Sequence, residues 1–377
     1  MVELTRKPAS ANNGGELDND NAQEVAGDKT FKGDVVHEGD VEVQGAFSAV
    51  NSINGQRNWM INGNFDFWQR SGAGAVGVGT TSVYVADRWR FSRGGSGTVQ
   101  VQRSDVSPND ESKHSVLITG DTGTQYVIMS QRIEASEAKQ LINETSLWIS
   151  FWFYNGTGAD CTPRVRIFTP TAEDDWSAWT SVGAGTQGTQ VCPAGQWTKV
   201  YNWRDLTYNM VDLDKGFQVQ IRLDTPGTML DDSGKHVRVA QVMVNRGPAI
   251  APFQRAGESI GAELALCQRY YEKTYRLDTV PGSASTPGAA GARHLVGANR
   301  LYMLNTTYKV TKRTTPSVSL WDVGGVSGQY KEYNSAGTLT HSSFVDKSVN
   351  EVGSYSNVTS GPGTGHYLFH WVAEAEL

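Results

Sequence analysis

The sequence predicts an all-β fold, and three observations lead to that prediction. Short stretches in which apolar and polar side chains alternate recur from residue 58 onward, and such alternation is typical of strands that bury one face. Clusters of Gly, Asp, Asn and Pro separate these stretches, and Gly alone occurs 41 times. Between residues 58 and 255 no helical period interrupts the pattern, which argues against a β-α-β architecture.

Composition limits the classes of partner. The chain has 377 residues, of which 38% are hydrophobic, enough for two or three domains with sizeable cores. Lys and Arg number 33 against 39 Asp and Glu, a net charge of -6. Phosphate backbones require clustered Lys and Arg, so we expect no nucleic-acid partner. No apolar run is long enough to cross a bilayer, so we also expect no membrane insertion.

The first element, residues 1–28, is polar and acidic and cannot bury enough apolar area to offset its conformational entropy. It is either a flexible tail or a peptide that becomes ordered when it docks on a larger assembly.

Residues 29–57 carry a six-residue period. Gly33, Gly39 and Gly45 recur at this spacing, and so do three apolar residues, Val35, Val41 and Phe47. The period predicts a narrow β stalk in which three chains cover one another's apolar faces, with these three residues in the trimer interface. An ordinary hairpin is the alternative.

Residues 58–255 are predicted to form a jelly-roll β-sandwich, because many short strands follow one another in a single run. The clearest alternating stretches are residues 98–103, 146–153, 162–168, 217–223 and 237–244.

Residues 256–288 are predicted to form one helix, from Glu258 to about Arg276, and a linker rich in Gly, Ser and Pro. A narrow apolar stripe follows the spacing of a helix through Ile260, Leu264, Cys267 and Tyr271. The helix packs either on its own domain or against copies of itself. The narrow stripe favours self-packing, which places Ile260, Leu264 and Tyr271 in the trimer interface.

Residues 289–377 return to alternating stretches and are predicted to form a compact C-terminal β tip domain. Its clearest strands span residues 302–310, 317–321 and 366–372.

Two groups of aromatic residues are candidates for ligand contact. Trp176 and Trp179 lie in an acidic stretch that we interpret as a loop, and Tyr201 and Trp203 lie beside Asn and Arg. Aromatic faces beside amides and charged groups suit sugar recognition, although they suit packing between subunits equally. The rival candidates are in loops of the terminal domain: Tyr330, Tyr333, Tyr355 and His341.

No catalytic or metal site is predicted. The acidic pairs Asp174-Asp175 and Asp231-Asp232 lie in turn-like contexts, so we interpret them as solvated turns and not as the paired carboxylates of glycoside hydrolysis. The seven histidines show no metal-ligand spacing with cysteine. No nucleophile elbow or phosphate-binding loop stands out. We therefore expect a protein that is not an enzyme and uses no cofactor.

Three motifs in series resemble bacteriophage tail-fibre and receptor-binding proteins. Asn58-Trp-Met-Ile-Asn-Gly-Asn-Phe-Asp-Phe-Trp-Gln-Arg70, with Tyr84-Val-Ala-Asp-Arg-Trp89, is similar to the opening of a domain common in those proteins. Glu263-Leu-Ala-Leu-Cys-Gln-Arg-Tyr-Tyr-Glu-Lys273 resembles the helix that closes it. Thr311 to Val318 and Trp371 to Leu377 resemble their C-terminal module. The resemblance covers roughly residues 58–377.

The resemblance implies a jelly roll related to carbohydrate-binding modules, a homotrimer and a place on the virion. We expect a phage tail-fibre subunit, assembled in the host cytoplasm, that binds a host surface polysaccharide or lipopolysaccharide without cleaving it. Residues 1–57 would join it to a tail, baseplate or adaptor protein. The alternatives are a polysaccharide depolymerase and a structural spacer without a receptor site.

Overall fold

The computed structural model divides the chain into two compact units, Met1–Ser52 and Ile53–Leu377. The structure describes strand residues 3–5 and 22–24 and residues 57–377, except 142–145, 183–189, 207–212, 248–249, 294–299, 303–305, 334–337, 341–342 and 358–365. In the first unit, β1 (Glu3–Thr5) pairs antiparallel with β2 (Ala22–Glu24), a pairing that the polar sequence did not predict. The stalk residues Val35, Val41 and Phe47 lie outside the described residues.

Two antiparallel six-stranded sheets form the first part of the larger unit. Their strands are β3 (Val76–Val78), β4 (Val83–Tyr84), β5 (Arg90–Gly95), β6 (Val99–Ser104), β7 (Ser115–Thr119), β8 (Thr124–Ile133), β9 (Ser146–Gly156), β10 (Arg164–Ala172), β11 (Asp175–Ser181), β12 (Trp197–Asp205), β13 (Phe217–Leu223) and β14 (His236–Arg246). The front sheet has the order β12-β9-β14-β7-β6-β3, and the back sheet has the order β11-β10-β13-β8-β5-β4.

This topology confirms the predicted jelly roll. Strands β7 to β14 supply four strands to each sheet, ordered β12-β9-β14-β7 and β11-β10-β13-β8, which is the arrangement of two interlocked Greek keys. Alternate residues of both sheets point between them and are fully buried, such as Phe151 and Phe153 of β9 and Val219 and Ile221 of β13. The alternating pattern predicted β9, β10, β13 and β14 among these strands, because each buries only one face in the shared core.

A one-turn helix, α1 (Ala135–Ala138), interrupts the strands between β8 and β9 and continues into a 3₁₀ turn, Lys139–Leu141. A second 3₁₀ turn, Leu213–Lys215, precedes β13. The sequence pattern predicted none of these turns, because none is long enough to show a period.

The main helix, α2 (Ile260–Gln268), is shorter than predicted, and the face that it buries is not the predicted one. Its buried residues include Glu263 and Cys267, whereas Ile260 is exposed. Glu263 turns inward because its carboxylate accepts hydrogen bonds from the backbone N–H groups of Asn62 and Gly257. The helix therefore does not bury the whole predicted stripe against its own domain, and the placement of Ile260 and Leu264 in a trimer interface stays a prediction.

Tyr271 does not lie on the helix. It begins β15 (Tyr271–Lys273), which pairs antiparallel with the last strand of the chain, β24 (His366–Glu374). Tyr271 is buried within its own chain, packed against the Arg70 guanidinium, whose carbon lies 3.8 Å from the ring centroid. A residue covered in this way supplies no surface to a trimer interface, which corrects that part of the prediction.

The C-terminal part forms two further antiparallel sheets. Their strands are β16 (Ala290–Arg293), β17 (Arg300–Tyr302), β18 (Thr306–Thr307), β19 (Ser317–Asp322), β20 (Gln329–Tyr333), β21 (Thr338–Thr340), β22 (Ser343–Lys347) and β23 (Glu351–Asn357), with β24. Strand β24 is the centre of one sheet and pairs with β15, β16, β19 and β20. In the other sheet, β17, β18 and β22 pair with β23.

The three motifs that resemble tail-fibre proteins meet in space. Arg70 of the opening motif forms ion pairs with Glu374 at 3.0 Å and Glu376 at 2.9 Å, and Arg88 binds Glu376. The Arg88 guanidinium carbon also lies 3.4 Å from the centroid of the Tyr270 ring. Burial by itself would lower the pKa of Arg70 and of Arg88, but Glu376 and the other acidic groups around each guanidinium together outweigh it, and both pKa values are raised.

Asp87 and Arg88 are neighbours in the opening motif but have different partners. Asp87 accepts hydrogen bonds from the backbone N–H and the side-chain amide of Gln69, at 3.0 and 2.6 Å. The motifs thus tie the end of the chain to the jelly roll. The predicted boundaries at residues 255 and 288 separate secondary-structure patterns inside one compact unit.

Candidate functional site

The outer face of the front sheet carries a row of aromatic rings. Strand β9 buries Leu147, Ile149, Phe151 and Phe153 in the core, so the residues between them point outward. Strand β12 pairs with β9 in antiparallel register, with Trp203 opposite Trp148 and Trp197 opposite Tyr154. Paired residues share a face. The outward rings form what we call the aromatic surface: Trp148, Trp152, Tyr154, Trp197, Tyr201 and Trp203.

Exposure differs along the aromatic surface. Tyr201 and Trp203 lie on the edge strand β12 and are 43% and 49% exposed, which is high for such large rings. The other four are half-buried, and the Tyr154 and Trp197 ring centroids lie 5.6 Å apart. From Trp148 to Tyr154 the surface runs about 20 Å along the strand, given a rise of about 3.4 Å per residue. The surface is long, flat and open at one edge.

Basic groups lie on the rings. Lys199 Nζ is 5.6 Å from the Trp152 centroid, and the Arg238 guanidinium carbon is 5.0 Å from that of Tyr154. The His236 ring stacks on Tyr154 at 5.8 Å. Burial lowers the pKa of Lys199 to about 8, and burial followed by the charge of Arg238 lowers the pKa of His236. At neutral pH the surface therefore presents two cations and an uncharged imidazole among aromatic faces.

The structure does not bring the two predicted tryptophan groups together. Tyr201 and Trp203 lie on the front sheet, whereas Trp176 and Trp179 lie in β11, the edge strand of the back sheet, and not in a loop. β10 and β11 form a hairpin around the turn at Asp174, so this stretch is pleated. Trp176 is only 8% exposed because the Arg132 guanidinium covers it at 4.6 Å, whereas Trp179 is 56% exposed.

The rival candidates in the terminal part stay predictions. Tyr330 and Tyr333 lie in β20 and Tyr355 in β23, strands whose side chains at these positions are outside the described set. His341 is also outside the described residues.

Trp148, Trp152, Tyr154 and Trp197 were missed by sequence reasoning, although β9 carried a signal. In the stretch Leu147-Trp-Ile-Ser-Phe-Trp-Phe-Tyr154 nearly every position is apolar. Only every second residue of a strand can face the core of a two-sheet sandwich. The second apolar set must therefore lie on the outer face.

The carboxylates of the two acidic pairs all have partners within the protein. Asp174 has a positive φ of 55° and accepts the backbone N–H of Ala135 at 2.9 Å, and Asp175 accepts that of Ser177 at 2.9 Å. Asp231 pairs with Lys235 at 2.7 Å, and Asp232 accepts the N–H of Gly234 at 2.7 Å.

Two further acids of the opening motif, Asp66 and Asp87, also have protein partners. Asp66 binds Arg255 at 3.1 Å, and Asp87 binds Gln69. Among the described residues no cluster of three or more His, Cys, Asp or Glu side chains is placed to hold a metal ion. Nor does that part of the chain contain a helix with the length and hydropathy needed to span a bilayer.

No protein-family model matches this chain, and no curated protein matches it. Several solved structures show a distant likeness to part of this chain. The enzymatically active domain of tailspike protein 4 from bacteriophage CBA120 gives a TM-score of 0.33 at 14% identity, over 50% of this chain and 21% of that one. A xylan-binding domain from Paenibacillus barcinonensis gives 0.27 at 14% identity, over 48% and 99%.

A family 11 carbohydrate-binding module from Clostridium thermocellum, in complex with a mixed-linked tetrasaccharide, gives a TM-score of 0.26 at 16% identity, over 48% of this chain and 100% of that one. These likenesses assign no family. At such TM-scores they carry no inference about the ligand of this chain, which depends on its own geometry.

Proposed function

We propose that this protein binds a saccharide chain on the aromatic surface of the front sheet. The observation that carries the proposal is the row of outward rings on β9 and β12, in which Tyr201 and Trp203 are nearly half exposed. Large exposed aromatic patches are uncommon on soluble proteins unless they bind something. Ring faces stack on the C–H patches of sugars, and Lys199 and Arg238 supply donors for hydroxyl oxygens.

We further propose the setting of a bacteriophage tail fibre. The three motifs that resemble tail-fibre and receptor-binding proteins support it. In this proposal the protein is a homotrimer on the virion, assembled in the host cytoplasm, and residues 1–57 join it to a tail, baseplate or adaptor protein. Its ligand is a host surface polysaccharide or lipopolysaccharide. Each trimer then presents three aromatic surfaces, so that three weak binding sites together give high avidity for the cell surface.

We propose that binding occurs without cleavage. The contacts of four aspartates support this. Asp174, Asp175 and Asp232 each accept a hydrogen bond from a backbone N–H group, and Asp231 forms an ion pair with Lys235. Hydrolysis of a glycosidic bond requires two carboxyl groups that converge on the scissile bond.

The test is binding of the purified protein to an array of bacterial capsule and lipopolysaccharide saccharides. We expect Trp203→Ala and Tyr201→Ala each to weaken binding by about 1–3 kcal/mol, by analogy with other aromatic stacking contacts. Trp179→Ala is the matched control, because it removes a ring of similar exposure from the other sheet. Unchanged binding in the Trp203→Ala/Tyr201→Ala double variant, with circular dichroism unchanged, would contradict the proposal.

Two further measurements address the rest of the proposal. Sedimentation equilibrium should give a mass three times 41.0 kDa, and a monomer at micromolar concentration would rule out the trimer. The best-bound saccharide should release no new reducing ends. A release that Asp174→Asn or Asp175→Asn abolishes would identify a depolymerase, and a folded trimer that binds no saccharide would be a spacer.

A further inference from the structure

The outer face of the back sheet carries a group of arginines that the aromatic surface does not use. Strands β10, β13, β8 and β5 lie side by side, and their outward residues alternate with the core residues Val165, Ile167, Val219 and Ile221. The outward residues of these four strands include five arginines and no Asp or Glu. We call them the arginine face: Arg90, Arg132, Arg164, Arg166 and Arg222.

The strand register brings these arginines together. Arg164 lies opposite Arg222, Arg166 opposite Gln220, Gln220 opposite Ser130, and Ser130 opposite Arg90. Neighbouring strands lie about 4.8 Å apart and same-face residues about 7 Å apart along a strand. The five guanidinium groups therefore surround Gln220 and Ser130, which are themselves buried, at 9% and 6% exposed.

Among the described residues, the carboxylate of Asp224 lies against these charges. Asp224, which follows β13, binds Arg164 and also Arg222, the latter at 2.5 Å. Arg132 donates to the main-chain oxygen of Leu377 at 2.8 Å and also to Gln218. For Arg90 the described residues provide no hydrogen-bond or ion-pair partner. Its guanidinium carbon lies 5.6 Å from the centroid of the Tyr84 ring.

The arginines of this face also repel one another electrostatically. Burial, and then the charge of Arg90, lowers the pKa of Arg132 to about 10. Burial, and then Arg222 and Arg164, lowers the pKa of Arg166. A cluster of cations that raise one another's energy is stabilised when an anion binds among them, because the anion reduces the repulsion as well as pairing with each group.

We propose that the arginine face binds the acidic groups of an anionic saccharide chain. Guanidinium groups present paired N–H donors that match carboxylate and phosphate oxygens. The site is separate from the aromatic surface, since the two lie on outer faces of opposite sheets.

A nucleic acid is a poorer fit. The chain has a net charge of -6, and the arginine face has no lysine. The rings beside it, Tyr84, Tyr126 and Trp176, each already have one of its arginines over them, and successive bases would need free ring faces on which to stack. The proposed ligand is therefore a saccharide whose acidic groups come either from uronic acids or from phosphates.

The test measures binding of the full chain to polygalacturonate, to poly(glycerol phosphate) and to neutral dextran, at low and at physiological salt. We expect the anionic polymers to bind, more weakly as salt rises, and dextran not to bind at this face. Arg90→Gln/Arg166→Gln should weaken polyanion binding roughly tenfold or more. The better of the two anionic polymers identifies the acidic group.

The matched control is Arg276→Gln/Lys309→Gln, which removes the same charge from two exposed positions outside the face. It should bind like the unchanged chain. Arg90→Lys/Arg166→Lys covers the case in which the glutamine variant fails to fold, since it keeps the charge but loses the paired donors, and several-fold weaker binding is expected. Trp203→Ala should leave polyanion binding intact, so this proposal and the aromatic one fail separately.

Four outcomes would overturn the proposal. The first is that neither anionic polymer binds. The second is that the control pair loses as much binding as the arginine pair. The third is that single-stranded DNA binds as tightly as the polysaccharides through the same arginines. The fourth is that the unchanged chain self-associates without polymer and Arg90→Gln/Arg166→Gln does not, which would make this face an interface between copies.

Discussion

At the scale of single residues, Lys199 shows how burial on the aromatic surface changes the pKa of a basic group. Its ammonium lies over Trp152, and burial lowers its pKa to about 8, opposed in part by Glu111. The folded-state pKa is therefore below the ordinary value of 10.5. The charged form is disfavoured on folding, so a stability cost is fully present below pH 8 and disappears as the pH rises towards 10.5.

We therefore expect Lys199→Met to raise the free energy of unfolding at pH 7 by about 1–2 kcal/mol, because it removes a partly desolvated charge. Near pH 10.5 the difference from the unchanged chain should vanish. Urea unfolding at both pH values measures this. Lys309→Met, at an exposed position, should have little effect at either pH. A gain of the same size at both pH values would contradict this account.

A second residue-scale prediction concerns the ion pair between Glu272 and Lys312. The Nζ–Oε2 distance is 2.7 Å and the side chains are 1% and 0% exposed. Glu272→Gln should cost about 3 kcal/mol, because it leaves a buried ammonium without its counter-charge. Glu272→Met/Lys312→Met should be less harmful than the two single substitutions added together. Guanidinium unfolding of the unchanged chain, Glu272→Met, Lys312→Met and the double variant completes the double-mutant cycle, and simple additivity would show that the pair is not coupled.

At the scale of elements, α2 depends on its N-terminus more than on an apolar stripe. The Ser259 side chain accepts the N–H of Ala262 at 3.3 Å, and Glu263 accepts two backbone N–H groups from outside the helix. These contacts fix the helix on the opening motif, which explains why its buried face includes a carboxylate.

We expect Ser259→Ala to lower the free energy of unfolding by about 1 kcal/mol, because an N-terminal donor loses its acceptor. Ser259→Asp keeps an acceptor at the same place and should remain close to the unchanged chain. Thermal unfolding of the three proteins makes the comparison. Equal losses in Ala and Asp variants would mean that the hydroxyl contributes through packing and not as a cap.

At the scale of the whole molecule, the end of the chain completes the jelly roll's junction with the terminal sheets. Glu376 binds both Arg70 and Arg88, while β24 pairs with β15, which directly follows α2. The sandwich, helix and terminal sheets therefore share buried contacts and should unfold together.

Glu376→Gln is expected to cost about 3 kcal/mol, since it leaves the buried Arg88 without its carboxylate, and to lower the melting temperature in a single transition. Glu374→Gln is the matched control. Its side chain is partly exposed and Arg70 keeps Glu376, so a loss below about 1 kcal/mol is expected. Calorimetry that resolves two transitions, with the terminal sheets melting first, would contradict the shared unit.

The sequence by itself determined the local features of this protein. Alternation identified β6, β9, β10, β13 and β14, and the breaks between strands pointed to a sandwich, because a strand's side-chain period is a property of the backbone alone. The sequence also indicated Tyr201 and Trp203 as candidates, because aromatic residues next to polar ones can be recognised from the sequence alone.

Only the tertiary structure decided which faces meet. That Tyr271 is a strand residue depends on pairing with β24, about a hundred residues later, and a local period carries no information about a partner that distant. The same holds for the separation of Trp179 from Trp203 onto opposite sheets and for the gathering of five arginines from four strands. Strand order and register set those distances, and both arise from long-range packing of the core.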